Sequence, residues 1–150
     1  MKKSDWGITE DIEEMAIMPN VATSYAETRQ MLECLVDKPL MSKTGQVATI
    51  SKNSIDELMS GKAVRESMNR DAHLLACANI EKLYSNAILK WEFELDSGKT
   101  NENLGDRKYL YAPMKFGKEI IPVKFTVKEF KSKKPDNRIY SIKAINVIIK

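Results

Sequence analysis

The chain has 150 residues, 43% hydrophobic and 30% charged, which is the profile of one globular domain with room for a core. It carries no apolar run near the roughly 20 residues that span a bilayer and no hydrophobic leader at its N-terminus, so the expected location is cytoplasmic, without membrane. The net charge of +3 is uneven: residues 1–50 carry −3, residues 51–100 carry −1, and residues 101–150 carry +7. One histidine and two scattered cysteines speak against a metal centre, and no cofactor is expected. Cys34 and Cys77 both fall on helical apolar faces and read as buried free thiols.

Residues 1–23 form an acidic extension, with a short helix expected around Thr9–Met18. Residues 24–150 read as a single α+β domain. Ser24–Val36 is a helix with Tyr25, Thr28, Met31, Leu32 and Leu35 on one stripe, ended by Asp37-Lys38-Pro39. Val47–Ile50 favours a short strand. Ser54 with Glu57 has capping-box spacing and opens a further helix, which Gly61 breaks before a second piece over Lys62–Asn69. Asp71–Ala87 reads as one long helix capped by Asp71. Its apolar stripe holds Ala76, Cys77, Ile80, Leu83, Tyr84 and the lone His73.

From Ile88 the apolar period changes from 3.6 to 2. Leu89, Trp91, Phe93 and Leu95 mark one strand, Asp96–Gly105 a polar loop, and Arg107–Met114 a second strand with Pro113 at an edge or strand end. Phe116-Gly117-Lys118 is a tight hairpin turn. In the third strand Ile121, Val123, Phe125 and Val127 alternate with Lys124, Thr126 and Lys128. The last strand, Arg138–Ile149, switches parity between Ile142 and Ile145, which calls for a bulge near Ala144. The fold class expected is α+β: N-terminal helices packed on a roughly four-stranded antiparallel meander.

Two candidate sites follow. One sheet face gathers Lys124, Thr126, Ser141 and Lys143, with Arg107 and Tyr109 beside them. Cations, hydroxyls and a phenol about 5 Å apart can form a floor for phosphate, and they equally describe a solvated face. His73, in a first helical turn, feels the positive end of the helix dipole, which favours the neutral ring and suits a general base. A core histidine with a backbone partner fits the same position.

Two segments carry a resemblance. They are Thr44, Gly45, Ile50, Ser51 and Ser54, and the pattern His73, Leu74, Ala78, Asn79, Ile80, Leu83, Asn86 and Ala87. Over about residues 24–149 the chain resembles the third of the large polyvalent protein-associated domains, found in long multidomain proteins of phages and conjugative elements. The resemblance implies a fold akin to the barnase, EndoU, colicin and RelE nucleases, many of which cleave RNA without metal by attack of the 2′-OH. On that reading His73, Lys124 and Thr126 are catalytic, and Arg107, Tyr109, Ser141 and Lys143 hold phosphate. The competing expectation is a non-catalytic domain of the same fold that binds nucleic acid or protein. A third is an antitoxin-like partner that uses the acidic extension as its contact. RNA or another polyanion is the expected ligand.

Overall fold

Alternating apolar residues in the second half build most of a sheet, and all but the first of the helices cover one of its faces. The structure, a computed structural model, describes residues 12–21, 24–67, 69–90, 107–129 and 139–147. The expectations for Trp91, Phe93 and Leu95, for the Asp96–Gly105 loop and for the 131–137 tip lie outside these residues.

The helices are α1 (Ile12–Met15), α2 (Tyr25–Glu33), α3 (Lys52–Leu58), α4 (Gly61–Glu66), α5 (Arg70–Ala78) and α6 (Ile80–Ser85). Each of α2 to α5 starts at a side chain that accepts a backbone N–H of the first turn: Ser24, Ser51, Ser60 and Asn69. The caps differ from the expected ones in two places. Ser51, not Ser54, caps α3, and Asn69, not Asp71, caps α5. The break between α3 and α4 falls at Met59 and Ser60, and Gly61 is the first residue of α4 rather than the breaker.

The long helix expected over 71–87 is two helices, separated at Asn79. Asn79 is only 2% exposed, and its side-chain amide donates to the Leu75 carbonyl at 2.9 Å. That carbonyl would otherwise take the Asn79 N–H, which instead reaches Ala76 O at 3.2 Å in a tighter turn. A second correction concerns Cys34. It caps the end of α2 and is exposed, because Thr28 and Leu32 define the inward face; Cys77 is buried.

The strands are β1 (Leu40–Met41), β2 (Val47–Thr49), β3 (Ile88–Lys90), β4 (Arg107–Phe116), β5 (Glu119–Glu129) and β6 (Ile139–Val147). Strands β3 to β6 form the antiparallel meander, and the sheet order is β1-β2-β6-β5-β4-β3. The sheet thus has two strands more than the roughly four expected. Strand β2 runs parallel to β6, with Val47, Ala48 and Thr49 opposite Ile139, Tyr140 and Ser141. Gly117, at φ +65°, makes the β4–β5 turn between the paired Phe116 and Glu119. The bulge lies where the parity switch placed it. Thr126 faces Ala144 but Val127 faces Ile142, so Lys143 is the extra residue and Ile142, Ile145 and Val147 all reach the core.

Pro113 and Pro122 face each other across β4 and β5. Pro113 lies beyond the β3 pairing, which reaches Tyr111, and Pro122 lies beyond the last described β6 pair, Val123 with Val147. Two hydrogen bonds also join the described margins of the sheet. The Lys43 N–H, in the turn after β1, donates to Ala87 O at 3.0 Å, and the β3 Leu89 N–H donates to Thr44 Oγ1 at 3.0 Å.

Leu110, Met114, Val123, Phe125, Val127 and Ile142 meet Leu83, Ile80 and Tyr84 of α6 in one core. The Tyr84 and Phe125 rings are edge-to-face, 5.3 Å apart, and the Tyr84 hydroxyl donates to Gln46 O. On the other face, Ile12 packs with Ile88, Tyr111 and Ile120. The chain then runs past β4, where Lys115 N–H donates to Ala16 O at 2.8 Å. It reaches the helix break, where Asn20 and Asn79 bond reciprocally at 2.9 and 2.8 Å. Residues 12–20 of the extension therefore strap both faces of the domain.

Candidate functional site

His73 enters the interior because the Asn69 cap sets the first turn of α5, and it is 0% exposed. Its Nε2 lies 2.7 Å from Leu58 O at the end of α3. A carbonyl only accepts, so Nε2 carries the proton. Nδ1 is then an acceptor, and the Ser67 hydroxyl donates to it across 2.7 Å. Ser67 Oγ in turn accepts the Val147 N–H at 3.1 Å. The chain Val147–Ser67–His73–Leu58 ties β6 to three helical segments and uses both ring nitrogens. Burial pushes the imidazole pKa below its ordinary value, against a smaller opposing effect of the Leu58 hydrogen bond.

The other candidates sit on the far side of the sheet. Val123, Phe125 and Val127 face the helices, so Lys124, Thr126 and Lys128 face away from them. Register places Tyr109 opposite Thr126, with Lys124 on the diagonal. The Lys124 ammonium rests 4.2 Å from the centre of the Tyr109 ring. Arg107 and Ser141 are both opposite Lys128 in register, and Lys143 is the bulge residue. Thr126 is 9% exposed, and Tyr109, Lys124 and Lys128 are half-buried.

The structure thus brings Tyr109, Lys124 and Thr126 together, with Arg107 and Ser141 at adjoining register positions. It does not bring His73 to them, because the sheet lies between. Sequence reasoning missed Lys90, which pairs with Tyr109 from β3. Only strand register could have found it. It also missed Ser67, and it named Asn79 only within the pattern behind the resemblance. A polar residue inside an apolar pattern was the available signal for Asn79; Ser67 offered none.

Other chemistry is limited. Among the described residues no three His, Cys, Asp or Glu side chains group as metal ligands, and no helix is long and apolar enough to cross a membrane. Burial pushes the Cys77 thiol up to about 12, which keeps it protonated and poorly nucleophilic.

A family model described as "Large polyvalent protein-associated domain 3" matches residues 21–140. No curated protein and no solved structure matches the chain.

Proposed function

The chain belongs to the large polyvalent protein-associated domain 3 family, and within it we propose that this domain is a non-catalytic nucleic-acid-binding module that works through the outer face of the sheet. The observation that carries this reading is the seal around His73. A general acid or base must reach a substrate proton directly or through one water. His73 is fully buried, both its nitrogens are engaged, and Lys124 lies across the sheet. The residues behind the family resemblance support the same view. Ser51 caps a helix, Asn79 shapes a helix break, and Ile50, Ile80, Leu83 and Ala87 fill the core. That pattern specifies a scaffold.

The outer face offers the binding chemistry. Lys90, Arg107, Lys124 and Lys128 hold register positions next to Tyr109 on β3, β4 and β5. The +7 balance of residues 101–150 adds long-range attraction for a polyanion.

The test is binding and cleavage of a labelled RNA by the full chain. Binding should be measurable at about 50 mM salt, fall steeply by about 200 mM, and weaken in a Lys124→Glu, Lys128→Glu variant. The RNA should remain intact. Cleavage that His73→Gln abolishes would restore the ribonuclease reading, and no binding at low salt would remove the nucleic-acid reading.

A further inference from the structure

Resting on the reading above, we infer that the outer face takes single-stranded nucleic acid, with Tyr109 as the platform on which one base stacks. The argument starts from the pairing of Tyr109 with Lys124. An ammonium 4.2 Å from a ring centre holds only a weak partner. A phosphate oxygen offers that ammonium a full charge and a stronger hydrogen bond. If Lys124 swings to a phosphate, the ring face it covered becomes available to a base. Sugar–phosphate and base are joined in one nucleotide, so both exchanges are made by the same ligand.

The surroundings fit this exchange. Thr126 stands beside Tyr109 in register, with a hydroxyl that can donate or accept at a base edge. Lys90 is opposite Tyr109 on β3, and Arg107 and Lys128 form the next outer-face pair along β4 and β5. Basic residues thus hold register positions on both sides of Tyr109, along the path of a backbone crossing the strands. The other direction is closed, because Ile12 of α1 packs on Tyr111 and Ile120. From the Tyr111–Lys124 pair to the Arg107–Lys128 pair the face spans four residues, about 13 Å along the strands. Among the described residues this pleated face carries no projecting helix or ribbon to enter a duplex groove. Exposed bases are what it can engage, and a single strand presents them.

The experiment compares fluorescent oligonucleotides of about 12 nucleotides, single-stranded and duplex, with heparin as a polyanion without bases. The protein is the full chain, as parent, Tyr109→Leu, Tyr109→Phe and Lys124→Gln. The single strand should bind the parent at least about tenfold more tightly than the duplex. Tyr109→Leu should weaken the single strand about 5- to 150-fold, leave heparin binding unchanged, and be rescued by Tyr109→Phe. Lys124→Gln should weaken both ligands and lower the salt slope by about 1. Equal binding of duplex and single strand, or loss of heparin and single-strand binding together in Tyr109→Leu, would overturn the stacking inference and leave the polyanion reading standing. No binding of any ligand would overturn both. The comparison of ligands on the parent needs no variant, so it decides the matter even if Tyr109→Leu does not fold.

Discussion

Replacing His73 with Phe keeps a ring of similar volume and deletes both nitrogens. Leu58 O then loses its buried donor at 2.7 Å, and the Ser67 hydroxyl loses its acceptor at 2.7 Å. Each buried polar group left without a partner costs about 1–3 kcal/mol, so the substitution should destabilise by about 2–6 kcal/mol. His73→Gln should recover part of this, because its amide can donate to Leu58 O. Urea unfolding reads the effect as a lower midpoint at constant m. The pH dependence provides a second reading. The folded imidazole pKa is lowered by burial, while the unfolded one is ordinary, about 6.5. Between the two values the unfolded chain binds more protons. The histidine's contribution is therefore complete above about 6.5 and is lost as pH falls through the folded pKa. The Phe variant should lack this loss, so the stability gap between parent and variant should narrow on acidification. A variant as stable as the parent, or a gap that stays constant from about pH 7 to 5, would refute the structural role of His73.

Leu83→Ala removes a fully buried side chain from the centre of the core and should cost about 2–5 kcal/mol in the same unfolding assay; a neutral result would contradict the packing of α6 on the sheet. Asn79→Ala removes the bonds to Asn20 and Leu75 and should cost about 1–3 kcal/mol. It should also make a Glu-specific protease cut faster at Glu13 and Glu14, and unchanged cleavage would count against the strap. A thiol reagent near neutral pH should modify Cys34 in the native protein and Cys77 only after unfolding, because Cys77 is sealed and its pKa is pushed up to about 12; native labelling at Cys77 would show an opening of α5 that the packing forbids.

Local chemistry made much of this fold legible. The period-two pattern gave β4, β5 and β6 their faces, Gly117 gave the hairpin, and the parity switch gave the bulge at Lys143. Leu83 was correctly assigned to the core. What escaped depends on contacts between distant segments. The parallel pairing of β2 with β6 joins residues on opposite sides of the helices, and no local pattern encodes it. The break at Asn79 has no glycine or proline to announce it, and it is coupled to Asn20 by hydrogen bonds across the chain. For the site, the strand pattern grouped Lys124, Thr126 and Tyr109 correctly. The helix pattern put His73 on an inward stripe but could not say whether that stripe met a cleft or a wall. Leu58 O and Ser67 decide it, and neither is a periodic neighbour of the histidine.

The bonds between the two described margins of the sheet have a consequence for how a further strand could add to it. Bare strand edges template further strands, and neighbours in one long polypeptide then trade segments or stack into fibres. Here β1 is two residues long, and the turn that follows it is hydrogen-bonded to Ala87 and to β3 at the opposite margin. A strand arriving at these described positions would have to displace both bonds before it could pair there.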